Sequence, residues 1–447
     1  MVKVGMSKID LEPALQAGFP IREERVEAIA LYVESKAQAA VWVVLDFMDF
    51  DLASVETIQT SVCRHTGLAA EYVHVVTTHN HGGGVPDFEK LGELAASCAS
   101  KARKSAIAAK MRYAITSVDR QVSIHRRKFV PELDGVTTLF YGANGEEGFD
   151  GAPFVERALH AIKDGYVCYY GREETKREYD PFDSGDREIF AIQFQGVDGT
   201  TIGTVLRFAA HAVCSNLSDS LSSDYPWYVR ETLEAHVGGV GLFLNGPCGD
   251  IAPEVIRKAD GSQCVLGEYL AVTAIEALQK KSFAEITEFQ DVQERIALPV
   301  RAEVRQNCVD LSEACPGMEN LPARRKYLEK EYLEKQLSFL RSKAAERNGV
   351  GDTVTVSLGL MKLNELVIAA FPGETFWATG TALKAAFPEK EICTVTEHGR
   401  TVMYLPPLED YRQGGYETVC MSTGAGAEAV LRENSIAAVK SLFYKGV

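Results

Sequence analysis

The stretch Glu71-Tyr-Val-His-Val-Val-Thr-Thr-His-Asn-His-Gly-Gly-Gly-Val-Pro-Asp87 decides how the chain reads. Val73, Val75 and Val76 form an apolar, β-branched run that closes in two threonines, which predicts a buried strand. Gly82, Gly83 and Gly84 break it. His79 and His81 fall at the strand's end, where α/β sheets place their chemistry. Alternate strand residues share a face, so both imidazoles are expected in one cleft. The competing reading is that they only hydrogen-bond the turn, and the rest of the chain decides between the two.

Working outward, Ala39–Leu45 is a second continuous apolar run, closed by Asp46. Between the two runs, Val55, Ile58 and Val62 have helical spacing. Strand, helix and strand in that order predict a parallel βαβ unit. Residues 88–110 are Ala-rich and read as one helix. Residues 189–195 and 202–208 read as a hairpin across Val197-Asp198-Gly199-Thr200, and its second strand runs on into His211. Asp224 is a candidate N-cap, with Pro226 in the first helical turn. A strand at 240–244 ends in Asn245-Gly-Pro-Cys-Gly-Asp-Ile-Ala-Pro-Glu254. A strand pair at 353–360 and 365–371 leads into Pro372-Gly373-Glu374, with a helix after it. A last strand at 392–397, a loop at 398–413 and a helix at 425–442 close the chain. Residues 316–349 are dense in Lys, Arg and Glu and read as a surface helical hairpin; the functional alternatives are a lid or a homo-oligomer contact. No linker interrupts the pattern, so a single catalytic domain over 1–447 is expected.

Composition narrows the function classes. The chain has 447 residues and a formal charge of −15, which argues against nucleic-acid and anionic-membrane partners. Its ten cysteines are scattered with no C-x-x-C pair, so neither a zinc ribbon nor a dithiol motif is indicated. Scattered cysteines suit a reducing compartment, and the cytoplasm is expected. The chain shows no signal-peptide core and no transmembrane run. A small-molecule substrate is the remaining expectation.

Several predicted strands end in a metal ligand or an acid–base group: His79 and His81, His211, Asp250 and Glu254, and Glu374. Histidines and carboxylates gathered from separate strands suit zinc, and a two-histidine, one-carboxylate set also suits Fe(II). The segment from Tyr404 to Tyr416 adds phenol oxygens.

Six short motifs then follow in a telling order: Thr78-His-Asn-His-Gly-Gly83, Arg207-Phe-Ala-Ala-His211, Asp224-Tyr-Pro226, Asn245 to Pro253, Pro372-Gly-Glu374, and Tyr404 to Glu417. In that order, and with the opening Val4-Gly-Met-Ser-Lys-Ile-Asp-Leu-Glu-Pro13, the chain resembles the neutral/alkaline (non-lysosomal) ceramidase family. The resemblance implies an α/β catalytic domain of the neutral ceramidase type, with mixed β-sheets and flanking helices. It also implies a zinc-dependent amidase with one Zn2+ per chain. Residue by residue, it makes His79, His211, Glu374 and Tyr404 the metal ligands. His81, Tyr416 and Arg126 match groups that bind the scissile carbonyl, although the residues flanking Arg126 differ.

One departure stands out. Where the family carries a serine proposed as nucleophile, this chain has Ala252. Either metal-activated water attacks directly, or the chain is not an amidase of that kind. Asp250 or Glu254 is then the candidate general base, with Asp250 as a loop-fixing carboxylate the alternative. Cys248 reads as a buried structural thiol. No β-sandwich is expected after Glu417. The expected function is a zinc hydrolase acting on an amide or ester of a small soluble substrate. The alternatives are true ceramidase activity, a non-catalytic homologue that keeps the pocket, and an iron or manganese enzyme.

Overall fold

Ala39–Leu45 is apolar throughout because the strand that it forms is covered on both faces. The structure, a computed structural model, describes residues 1–15, 23–130, 135–138, 186–215, 221–254, 261–301, 351–413 and 416–444. At 128–130, 135–138, 412, 413, 416 and 419 it describes the backbone alone. The charged segment 316–349 lies outside the described residues.

The N-terminal strands are β1 (Lys3–Asp10), β2 (Glu27–Glu34), β3 (Ala39–Leu45), β4 (Val73–Thr77) and β5 (Ile107–Ser117). Short strands β6 (Ser123–His125), β7 (Arg127–Val130) and β8 (Gly135–Thr138) follow, then β9 (Glu188–Gly196), β10 (Thr201–Phe208), β11 (Val240–Asn245), β12 (Ile251–Pro253) and β13 (Ala284–Glu285). The C-terminal strands are β14 (Phe289–Pro299), β15 (Thr353–Leu363), β16 (Leu366–Ala370), β17 (Glu374–Thr375), β18 (Glu391–Val395) and β19 (Tyr404–Leu405). The helices used below are α1 (Leu52–Thr66), α2 (Phe88–Lys104), α3 (Tyr225–Val237), α4 (Ser262–Gln279), α5 (Trp377–Ala385), α6 (Leu408–Gln413), α7 (Tyr416–Val419) and α8 (Ala427–Phe443).

A large mixed sheet runs β11-β10-β9-β5-β1-β2-β3-β4, and a second runs β14-β15-β16-β18. They pack face to face: Trp42, Val44 and Val76 of the first meet Met361, Ile368 and Val395 of the second. The outer face of the large sheet carries α1 and α2 at one end and α3 and α4 at the other. The outer face of the second sheet carries α8. The result is four layers, helix–sheet–sheet–helix. Among the described residues, no helix is long and apolar enough to cross a membrane.

Three βαβ units with parallel strand pairs organise the molecule: β3-α1-β4, β10-α3-β11 and β16-α5-β18. The first was legible from the two apolar runs. Asp51 caps α1 by accepting from the Ser54 amide at 2.8 Å, and Gly67, with φ +72°, ends it. The hairpin β9–β10 is antiparallel, as the turn at 197–200 predicts. Two expectations are corrected: the helix predicted over 88–110 stops at Lys104, with Ile107–Ser117 a strand, and the loop predicted over 398–413 holds the strand Tyr404–Leu405 and the helix Leu408–Gln413. The Ala-rich composition hid the first boundary, although Ala109 and Met111 alternate into the inter-sheet core.

A buried polar network crosses between the sheets. His398 Nδ1 lies 2.9 Å from the Ser357 carbonyl, which can only accept, so Nδ1 carries the proton. His398 Nε2 therefore accepts from His74 Nδ1 at 2.9 Å. His74 Nε2 lies 2.7 Å from Asp291 Oδ1, and one proton is held between them. Trp42 donates its indole N–H to Asp291 Oδ2 at 3.1 Å and stacks on His74. Burial and His74 together pull the pKa of His398 down to about 3, in keeping with its neutral ring. Gly359 makes room for the pair, because a Cβ there would sit 2.8 Å from His398 Nε2.

Candidate metal centre

The parallel strands β4, β10, β16 and β18 deliver their C-terminal ends to one place. His79 and His81 follow β4, His211 follows β10, Glu374 follows β16, and Glu397 follows β18. Asn245, at the end of β11, ties the first two ends together by donating to the carbonyls of Thr78 and Ala210 at 3.2 and 3.0 Å. A bridge between Asn80 and Ala212 extends the contact. Tyr404 arrives from β19, which pairs with β17 so that Glu374 and Tyr404 are register partners.

Backbone carbonyls fix the orientation of two imidazoles. His79 Nδ1 lies 3.0 Å from the Met48 carbonyl, and His211 Nδ1 lies 2.9 Å from the Ile251 carbonyl. Both Nδ1 atoms must donate, so both Nε2 atoms turn inward. There they meet Glu374 Oε2, at 3.3 Å from His79 and 3.0 Å from His211. His81 Nε2 lies 3.3 Å from His79 Nε2. Donors about 2.0–2.1 Å from one tetrahedral ion lie about 3.3 Å apart, so these spacings fit a zinc-sized ion. Donor atoms of His79, His81 and His211 all lie within 4.8 Å of one another. His79 and His211 are buried, whereas His81 is only partly buried.

Electrostatics point the same way. Burial lowers the pKa of His79, but Glu374 and Glu397 outweigh it and push it up to about 9. Burial and Arg126 take His211 down to about 4. Burial and the other two imidazoles hold His81 well below its ordinary value. Burial favours a neutral Glu374, yet His79 and His211 hold it ionised, well below the usual carboxylate range. An anionic carboxylate facing inward-turned nitrogens calls for a cation between them. Without a metal, a proton on His79 serves; a dication serves all the donors at once.

Arg126 closes the site on the Tyr404 side. Its Nη2 donates to the Tyr404 hydroxyl and the Gly249 carbonyl, each at 2.9 Å. Its Nε donates to Glu417 Oε1 at 2.9 Å, and Arg127 donates to Glu417 Oε2 at 2.7 Å. This clamp is buried, so Arg126→Ala leaves a buried carboxylate with one charge partner fewer. The expected cost is at the lower end of about 3–5 kcal/mol, because Arg127 remains; urea unfolding measures it.

Two glycines shape the approach. Gly373, at φ +59°, turns the chain into Glu374. A Cβ on Gly249 would lie 2.5 Å from the Glu374 carbonyl oxygen and 2.8 Å from Phe376 Cδ1. Gly249→Ala is expected to displace β17 at a cost of about 1–3 kcal/mol, read from the urea midpoint.

Among the other candidates, Asp250 is buried but turned away. Its carboxylate accepts from the Trp377 amide at 2.8 Å and sits 2.8 Å from His125 Nε2. Glu254 is half-buried, and burial raises its pKa. Cys248 is fully buried, and burial with Glu397 and Glu374 raises its pKa well above that of an ordinary thiol. Ala252 lies in β12, one residue from the carbonyl that anchors His211. The side chain of Tyr416 lies outside the described residues. The sequence reading missed two carboxylates. Glu417 stood in a quoted motif with no role assigned, and Glu397 read as the end of a strand.

No protein-family model matches the chain, and no curated protein sequence matches it. Solved structures do. The crystal structure of neutral ceramidase from Pseudomonas aeruginosa superposes with a TM-score of 0.66 at 15% identity, over 99% of this chain and 74% of that one. A ceramidase complexed with C2 gives a TM-score of 0.66 at 15% identity, over 99% of this chain and 75% of that one. The four layers are thus those of a chain with the neutral ceramidase fold.

Proposed function

We propose that the chain is a zinc-dependent hydrolase of the cytoplasm that cleaves an amide or ester bond of a small soluble substrate. The observation that carries this reading is the inward pair of Nε2 atoms on Glu374 Oε2, each imidazole fixed by a backbone carbonyl. His79, His211 and Glu374 would hold the ion, with Tyr404 beside them. Bound zinc supplies Lewis acidity that polarises a carbonyl and activates water. His81, the least buried of the three histidines, donates to the substrate's carbonyl oxygen. Arg126 holds positive charge against Tyr404, and Tyr416 is proposed as a second donor. With both oxygens of Asp250 already engaged, the loop-fixing role suits it better than that of a general base. Ala252 removes acyl transfer to a side chain at that position, so a route in which water attacks directly fits this chain.

A screen of acyl amides and esters with zinc-loaded protein tests the reading, and the names of the two structural neighbours put ceramide in the panel. Turnover that vanishes with a chelator and returns with zinc supports it. Ala252 favours one second reading, a non-catalytic protein that keeps the pocket; binding without turnover across the panel is the result that it predicts.

A further inference from the structure

Glu397 stands on the far side of His79 from Glu374. Its Oε1 lies 3.5 Å from His79 Nδ1, the nitrogen that also faces the Met48 carbonyl. The residue is buried, 3% exposed. Its backbone is left-handed, with φ +60°, a costly conformation for a glutamate. That conformation is held from both sides. The Glu397 carbonyl accepts from the Thr77 amide at 3.1 Å, and its amide lies 3.4 Å from the Gly373 carbonyl. The turn that carries Glu397 therefore ties the end of β4 to the glycine that precedes Glu374. His79 is itself left-handed, with φ +58°. Strained backbone at both partners, and a carboxylate placed with little solvent, mark an arrangement with a task.

We propose that Glu397 is a positioning residue for His79: its charge beside Nδ1–H fixes the ring and makes Nε2 a stronger donor toward a divalent ion. A carboxylate behind a metal-bound imidazole raises ligand basicity, and its loss costs about 10–100-fold in metal affinity. The two carboxylates thus have separate tasks on one imidazole, Glu374 at Nε2 and Glu397 at Nδ1. This inference rests on the metal reading proposed above.

The test is zinc affinity of the full chain, measured by chelator competition for the parent, Glu397→Gln and Glu397→Asp, with circular dichroism to show that each is folded. Glu397→Gln keeps the shape and removes the charge; it is expected to bind zinc about 10–100-fold more weakly. Glu397→Asp keeps the charge and tolerates a left-handed backbone, so it should bind more tightly than the Gln variant. In the cobalt-substituted protein, the visible bands of Glu397→Gln should shift from those of the parent. Gln binding within twofold of the parent overturns the inference and leaves the hydrolase reading standing, as does an equal loss in both variants. A parent that binds no zinc overturns both. Should Glu397→Gln fail to fold, Glu397→Asp decides: binding within about tenfold of the parent supports the inference, and a folded Asp variant without zinc binding refutes it.

Discussion

His79→Ala is expected to bind no zinc and to turn over nothing above background, while His81→Ala keeps its zinc and loses about 10²–10³ in kcat. The two histidines are one residue apart and their Nε2 atoms are 3.3 Å apart, so the asymmetry comes from their surroundings. His79 is buried, fixed at Nδ1 by a carbonyl, and flanked by two carboxylates. Removing it takes away an anchored donor and leaves Glu374 and Glu397 with one cation fewer. His81 is the least buried of the three histidines, which suits it to meet a substrate oxygen. Losing one donor to a developing oxyanion costs about 2.7–4 kcal/mol of barrier, which is the loss expected of His81→Ala. Equilibrium dialysis with metal analysis, run beside the rate assay, separates the two outcomes. If His81→Ala loses zinc as His79→Ala does, His81 is a third histidine ligand and its substrate role falls.

The second large effect is on stability. Asp291→Ala is expected to cost about 3–5 kcal/mol, because it breaks a buried pair and leaves His74 Nε2 without its partner inside the fold. Trp42 loses an acceptor at the same time. Asp291→Asn is expected to cost less. With Nδ1 of a neutral His74 donating to His398, His74 Nε2 can accept from the carboxamide N–H while the carboxamide oxygen accepts from Trp42. The network joins β3 and β4 to β14 and β15, so the loss should loosen the two sheets together. Guanidinium unfolding followed by tryptophan fluorescence and by far-UV circular dichroism reads the change. A shift of under 1 kcal/mol for Asp291→Ala would show that the network contributes little.

Much of this was legible in the chain because the signals are local. β3 is apolar on both faces, β4 carries the β-branched run of Val73, Val75 and Val76, and Val55, Ile58 and Val62 give the helix between them its spacing, which makes one βαβ unit readable by itself. The strand-end histidines are legible for the same reason. The neighbours' fold agrees with the motif order, although 15% identity leaves little else to align. The harder features depend on distant pairings. Glu374 meets Tyr404 through strands of two residues, too short to carry a periodic signal. Glu397 gains its place from a left-handed turn held by Thr77 and Gly373, which no composition rule anticipates. The tautomers of His74 and His398 follow from which atoms they face, and that requires both sheets at once. The start of β5 was lost in an Ala-rich run because alanine suits a helix and a strand's buried face alike.

The central claim is that His79, His211 and Glu374 hold a zinc ion. Metal analysis of the full chain purified without added metal tests it most directly, run beside Glu374→Ala and His211→Ala. The account predicts one zinc per parent chain and none in either variant. Iron or manganese in place of zinc, or zinc retained by both variants, would contradict it.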